Sequence, residues 1–226
     1  MATPRGGQQR IPRPPSFRAG APAPWAELPP ERRRLTLDEV RTRLAALPPA
    51  ADAPAYVADA RAAAVLVPMF EADGEAHVVL IKRPETMPSH KGEIAFPGGK
   101  FEPGVDDDLR AAALREAHEE VGLAPEDVEV IAQLDGIGTV ASRFTITPFV
   151  GFLRGRPVLA PNPFEVERVL LVPLSALLGA DVYREERWDT WNDLSVHFYE
   201  LDDETVWGAT ARILTNFLTH LVSGGP

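Results

Sequence analysis

The spacing of hydrophobic positions along the chain changes several times, and each change predicts an element. In TLDEVRTRLAALPP, Leu37, Val40, Leu44 and Leu47 follow a helical period. Thr36 and Glu39 supply a capping box at its start, and Pro48-Pro49 stop it. Two apolar runs then follow, Ala63–Phe70 and His77–Ile81, separated by a stretch containing Asp73-Gly74, which predicts a β-hairpin. EIAFPGGK predicts a short strand that breaks into a proline–glycine turn. A helix is expected over about Leu109–Val121, ended by Gly122. DVEVIAQLD, FTITPFVGFL and VERVLLVPL are expected to be strands. ETVWGATARILTNFLTHLV is expected to be a C-terminal helix, because Ile213, Phe217 and Leu221 recur every four residues with Leu214 and Leu218 beside them.

Residues 1–34 break the pattern. They carry seven arginines against two glutamates, many prolines and few aliphatic residues. That composition predicts a disordered or loosely draped extension, with an ordered domain over 35–223. A solvated tail is the simpler reading; a basic arm on an acidic body could also contact an anionic surface or a partner subunit. For the whole chain, 45% hydrophobic and 25% charged residues describe an ordinary globular protein with one core. The absence of cysteine excludes disulfides and thiolate-ligated metals. No apolar run approaches the roughly 18 residues of a membrane span, and the N-terminus lacks the apolar stretch of a secretory signal, so a cytoplasmic location is expected. A formal charge of −10 argues against general nucleic-acid binding.

The candidate chemistry lies in LREAHEEVGL, residues 114–123, where Glu116, Glu119 and Glu120 crowd the last turns of a helix. Like charges at i, i+3 and i+4 repel, and the helix dipole disfavours anions at this end. On a helical wheel the three carboxylates flank the apolar stripe of Ala113, Leu114, Ala117 and Val121, which puts them at the edge of the core. All-oxygen donors there suit a hard cation such as Mg²⁺ or Mn²⁺. The alternative is a solvated acidic face, with Arg115 pairing Glu119 at i, i+4. His118 falls off this edge and is expected to be exposed.

With FPGGKFEPG just upstream, the ordered set GGKFEPGVDDDLRAAALREAHEEVGL resembles the Nudix box, the signature of hydrolases that cleave nucleoside diphosphates linked to another group. Arg115-Glu116, Glu119-Glu120 and Gly122-Leu123 match its end without a gap. The front half departs from it: Asp107 stands where the box has a glutamate, and Gly99 lies two residues further from Arg115, which reads as an insertion around VDDD. Asp106–Asp108 are read as favourable negative charge at the helix start. RAAAVLVPMF, VVLIKRPETMPSHKGEIAFPGGK, TVASRFTITPFVGFL, PNPFEVERVLLVPLSALL and VWGATARIL extend the resemblance to the coenzyme A pyrophosphatase branch over roughly residues 35–222. Leu80, Arg83, His90, Gly92 and Phe96–Gly99 match that branch's upstream motif. Ile81, Pro84 and Pro88 depart from it, Pro88 replacing a basic residue.

The resemblance implies a Nudix α/β/α sandwich, with a mixed sheet between helices and a loop–helix–loop catalytic box. It implies Glu116, Glu119, Glu120 and the Gly99 carbonyl as ligands of Mg²⁺ or Mn²⁺, and Arg83, His90 and Lys100 as substrate contacts. Glu119, Glu165 and Arg115 are the implied catalytic candidates. The general base is Glu119 or Glu165; Glu167 is an alternative because strand alternation would place it on the same face as Glu165. The expected activity is hydrolysis of the pyrophosphate bond of coenzyme A or a derivative, giving 3′,5′-ADP and 4′-phosphopantetheine. An ADP-ribose or dinucleotide pyrophosphatase and a weakly catalytic binding module are the alternatives. The expected partner is a small nucleotide substrate, with a homodimer suggested by the same resemblance.

Overall fold

The computed structural model describes residues 5–53, 59–139, 142–189 and 193–223. In chain order the elements are β1 (Phe17–Ala19), α1 (Leu37–Leu44), β2 (Arg61–Ala72), β3 (Glu75–Lys82), β4 (Ile94–Ala95), β5 (Gly98–Lys100), α2 (Leu109–Val121), β6 (Val128–Gln133), β7 (Ile137–Gly138), β8 (Phe144–Leu153), β9 (Arg168–Pro173), α3 (Leu174–Leu177), β10 (Tyr183–Trp188), β11 (Leu194–Glu200), β12 (Thr205–Trp207) and α4 (Gly208–Ser223). The larger sheet runs β4-β3-β2-β8-β6, with β5 also paired to β2, β7 to β8 and β9 to β3. Its β2–β8 pair is parallel and its other pairs are antiparallel, so the sheet is mixed.

The apolar runs become strands buried on both faces, and the period of two sorts their side chains. Ala64, Leu66 and Phe70 of β2, Val79 and Ile81 of β3, and Phe149 and Leu153 of β8 pack under α2. Val67, Met69, Val78, Leu80, Val150 and Phe152 point the other way, toward α1, α4 and the aromatic residues of the second sheet. The β2–β3 turn takes positive φ at both Asp73 (53°) and Gly74 (69°), the geometry of a two-residue hairpin loop. The capping box at Thr36 and Glu39 is formed.

Four expectations need correction. First, Gly98–Lys100 is not a turn. It is strand β5, paired with Val65–Ala63 of β2, and only glycine fits at position 98: a Cβ there would lie 2.4 Å from the Ala64 carbonyl oxygen. Second, the C-terminal helix starts at Gly208, because Thr205–Trp207 pair with β11. Third, β10 and β11, with their half-buried alternation, form an antiparallel sheet in the order β1-β10-β11-β12, which the apolar runs did not announce. Fourth, of the two readings of the Pro/Arg-rich extension, disordered or loosely draped, the contacts favour the second: it lies against the body. Phe17–Ala19 pair with Glu186–Trp188, and Trp25 is buried with its ring centroid 5.3 Å from Tyr183 and 6.2 Å from Tyr199. A buried indole, paired backbone groups and polar contacts such as Arg13–Glu186 and Arg18–Asp193 seat a segment whose composition cannot build a core of its own. Residues 1–4 of the extension, and Val140 and Ala141 of the TVASR stretch, lie outside the described residues.

Candidate active site

Helix α2 occupies the span expected of it. Asp108 caps its start by accepting from Ala111 N at 2.7 Å, and Gly122 ends it in the left-handed region at φ 73°. The three glutamates are graded by depth: the side chains of Glu119, Glu116 and Glu120 are 51%, 17% and 3% exposed. Glu120 accepts from Gly98 N at 3.0 Å and lies 3.4 Å from Arg83 Nη1. Glu116 rests on Gly99, where a Cβ would come within 2.3 Å of its carboxyl carbon. Strand β5 therefore supports both carboxylates through backbone alone. His118 is exposed, as expected from the wheel.

The last carbonyls of a helix need outside partners. Here Val121 O accepts from Ala160 N and Glu120 O from Asn162 N, both at 2.9 Å. The loop pinned in this way turns back on itself, with Glu165 N and Val166 N donating to Asn162 O at 3.0 and 2.8 Å. It delivers Glu165, half-buried, into electrostatic range of Glu116 and Glu120. Burial pushes Glu120 up to about 8; Glu116 and Glu165 add to that shift, and Gly98 N–H and Arg83 oppose it. Burial also raises Glu116, against Arg115, with Glu119 and Glu165 adding to the rise.

Arg115 is committed elsewhere. Its Nε and Nη2 donate to Asp106 at 2.8 and 3.1 Å, Nη2 also reaches Lys100 O at 3.1 Å, and Nη1 reaches Glu116 at 3.0 Å and Glu119 at 3.2 Å. Arg115 thus orients the carboxylates, and the i, i+4 pair with Glu119 is present. Asp106 is buried and also accepts from Glu102 N at 2.8 Å, while Asp107 is exposed. This corrects the reading of Asp106–Asp108 as three helix-start charges: Asp108 caps, and Asp106 is the buried partner of Arg115, held well below the usual carboxylate range by that guanidinium. Spacing alone could not distinguish it from its two neighbours. Glu167 is also corrected. Strand β9 begins at Arg168, so strand alternation does not extend back to Glu167, which is exposed and pairs with Lys82 at 3.2 Å.

The expected substrate contacts surround this cluster unequally. Arg83 is mostly buried, and its Nε has no hydrogen-bond partner. His90 sits at positive φ (54°) and contacts Glu93 at 2.8 Å, which raises its pKa. Lys100 is exposed. Among the described residues no three His, Cys, Asp or Glu side chains converge as a ready-made metal cage. The donors nonetheless fit a hard divalent ion. Glu116 and Glu120 are carboxylates gathered out of water with Arg83 as the one cation paired to Glu120 among the described residues, and Mg²⁺ typically takes one or two carboxylates and completes its shell with water and substrate phosphates.

Comparison with known proteins places this geometry. The profile of the NUDIX domain matches residues 60–193. Nudix hydrolase 22, chloroplastic, of Arabidopsis thaliana is 40% identical over 172 residues, covering 73% of this chain and 56% of the relative. The peroxisomal coenzyme A diphosphatase NUDT7 of Mus musculus is 38% identical over 161 residues, covering 70% and 67%. The Nudix hydrolase NudL of Photorhabdus laumondii, described as uncharacterized, is 36% identical over 161 residues, covering 68% and 81%. The chain thus spans little more than half the length of the Arabidopsis relative. A MutT/nudix family protein from Enterococcus faecalis shares the fold with a TM-score of 0.50 at 17% identity, covering 86% of this chain and 72% of that one.

Proposed function

The chain belongs to the Nudix hydrolase family, and on that premise we propose that it hydrolyses the pyrophosphate bond of coenzyme A or a close derivative, with Mg²⁺ or Mn²⁺. The observation that carries the reading is the gathering of Glu116, Glu120 and Glu165 beside the bare backbone of Gly98-Gly99, with Arg83 facing Glu120. The coenzyme A assignment is supported by Leu80, Arg83, His90, Gly92 and Phe96–Gly99, and by the 38% identity to the mouse coenzyme A diphosphatase.

Glu116 and Glu120, with the Gly99 backbone, would hold the divalent ion, and Glu119, the most exposed of the three, would supply a further carboxylate. When bound, the ion supplies neutralisation of the pyrophosphate oxygens and activation of water for attack. The chain's own groups do the rest. Arg83, 20% exposed and held 3.4 Å from Glu120, brings a guanidinium to the site, a group that suits a phosphate oxygen. His90, favoured in its charged form by Glu93, and Lys100 add positive charge at the rim. Glu165, carried on a loop fixed to the end of α2, is the proton acceptor for the attacking water in this scheme, and Glu119 is the second candidate. Arg115 holds the glutamates in register, which is a positioning role.

The test is a substrate panel with each metal: coenzyme A, acetyl-coenzyme A, dephospho-coenzyme A, ADP-ribose and NADH, with products identified by mass. Coenzyme A cleaved well ahead of dephospho-coenzyme A supports a site that reads the 3′-phosphate despite Pro88. ADP-ribose in front, or a flat profile, would leave the metal site standing and overturn the coenzyme A assignment. No turnover with either metal would favour a binding module.

A further inference from the structure

Behind the carboxylate cluster, two cations face each other. Lys82 at the end of β3 and Arg168 at the start of β9 are direct cross-strand partners. Like charges in that position are destabilising unless something lies between them. What lies between is Glu204, from the turn joining β11 to β12. One of its oxygens is 2.9 Å from Lys82 Nζ and 2.5 Å from Arg168 Nη2. The other accepts from Gln9 Nε2 of the N-terminal extension at 2.7 Å. The Glu204 side chain is 4% exposed. Glu167 at 3.2 Å from Lys82 and Asp203 at 2.6 Å from Arg168 complete the charge balance on the outer side.

This cluster lies one residue from Arg83 along the chain and three residues from Glu165. Arg83, which faces Glu120, follows Lys82 directly. Glu167 N donates to Lys82 O at 2.8 Å, which ties down the loop carrying Glu165. We propose that Glu204 is a positioning residue for the active site: a buried carboxylate, lent by the smaller sheet and covered by the extension through Gln9, that clamps the ends of β3 and β9 and thereby fixes Arg83 and Glu165 against the metal-binding glutamates. The inference rests on the hydrolase reading above for its kinetic consequence. It also gives the extension a mechanical task, because Gln9 occupies the oxygen that water would otherwise reach.

The clamp predicts more than charge balance. In Glu204→Gln the acceptor shape is kept and the charge is lost, so Lys82 falls back on Glu167 and Arg168 on Asp203. The expected result is a 10–100-fold fall in kcat with KM within about threefold, the range found for residues that orient metal ligands from behind. Mn²⁺ affinity, measured by electron paramagnetic resonance of the free ion, should weaken in the same direction, and this readout needs no substrate. The pair Lys82→Met with Glu204→Gln removes the like-charge repulsion between Lys82 and Arg168 without restoring the clamp. Its melting temperature should recover toward wild type while kcat and Mn²⁺ affinity stay low. Recovery of all three would reduce Glu204 to charge balance and overturn the proposal, as would a folded Glu204→Gln with unchanged kcat and Mn²⁺ affinity. Should Glu204→Gln fail to fold, Glu204→Asp keeps the charge but is one methylene too short to reach both cations, and the same criteria apply. A wild-type protein that turns over none of the panel would sink the hydrolase reading, and Mn²⁺ affinity would still decide the clamp.

Discussion

Replacing Gly99 by alanine separates the site from the fold in a single methyl group. The added Cβ would lie 2.3 Å from the Glu116 carboxyl carbon and 2.4 and 2.5 Å from its two oxygens. Carbon–carbon contacts settle near 3.5–4.0 Å, so one partner must give by at least about 1 Å. The yielding partner is the far end of a side chain, and Gly99 does not occupy the left-handed region. The strand can therefore keep its pairing with Ala64, and the carboxylate swings away. Global stability should stay within about 1 kcal/mol of wild type, since glycine to alanine at a compatible backbone position is itself mildly stabilising. A displacement of about 1 Å at a reacting centre can cost on the order of 100-fold in rate. The expected outcome is a kcat/KM down by roughly that factor with weakened Mn²⁺ binding, at an unchanged urea midpoint. The neighbouring Gly98→Ala is the contrast: its Cβ would meet the Ala64 carbonyl oxygen at 2.4 Å and Val65 Cα at 2.6 Å, both backbone, at φ 155°. That variant should lose stability, by about 1–3 kcal/mol or more. Full turnover and undiminished Mn²⁺ affinity in Gly99→Ala would refute the placing of Glu116 in the metal site.

Further outcomes follow from the same geometry. Glu120→Gln should abolish metal-dependent turnover while remaining folded, because a neutral amide can still accept from Gly98 N; metal-stimulated activity within tenfold of wild type would contradict it. Asp106→Asn should lower the urea midpoint by weakening the buried partner of Arg115, whereas Asp107→Asn, at an exposed position, should change nothing; equal effects would refute the assignment of Asp106. Trp25→Ala should cost about 3–5 kcal/mol, the range for emptying an aromatic core position, and should make residues 5–34 accessible to limited proteolysis. His197, half-buried beside Tyr183 with Oη 2.8 Å from Nδ1, has its pKa lowered from 6.5 by desolvation. In the unfolded chain it protonates first, so its contribution is complete above pH 6.5 and is lost as pH falls through the lower folded value. The melting temperature of wild type should therefore fall more steeply below pH 6.5 than that of His197→Gln, and parallel curves would contradict the burial.

Helix α2, with its glycine stop, was readable because a 3.6-residue apolar period and a left-handed glycine leave local marks. The strands β2, β3 and β8 were readable for the same reason: they are buried on both faces and stand out as continuous apolar runs. The crowding of Glu116, Glu119 and Glu120 against local electrostatics marks the candidate site in the sequence. The grading of those glutamates, from Glu120 in the core to Glu119 in water, came from packing under β5, which the sequence presents only as a glycine pair. Strands β10 and β11 are not legible because charged and polar residues interrupt them, and β12 is hidden because its three residues run straight into the helical period of α4. Asp106 could not be told from Asp107 by spacing, since the choice depends on which carboxylate turns toward Arg115. The extension has a composition that cannot fold alone, and that inference is sound for an isolated segment; Trp25 finds its core among Tyr183 and Tyr199, more than 150 positions away. Sequence by itself determined the elements whose signals are local and the residue types that could do the chemistry. Which carboxylate is buried, which cation is committed and what holds β3 to β9 were decided only in three dimensions, because burial and charge pairing are properties of neighbours that the chain order does not name.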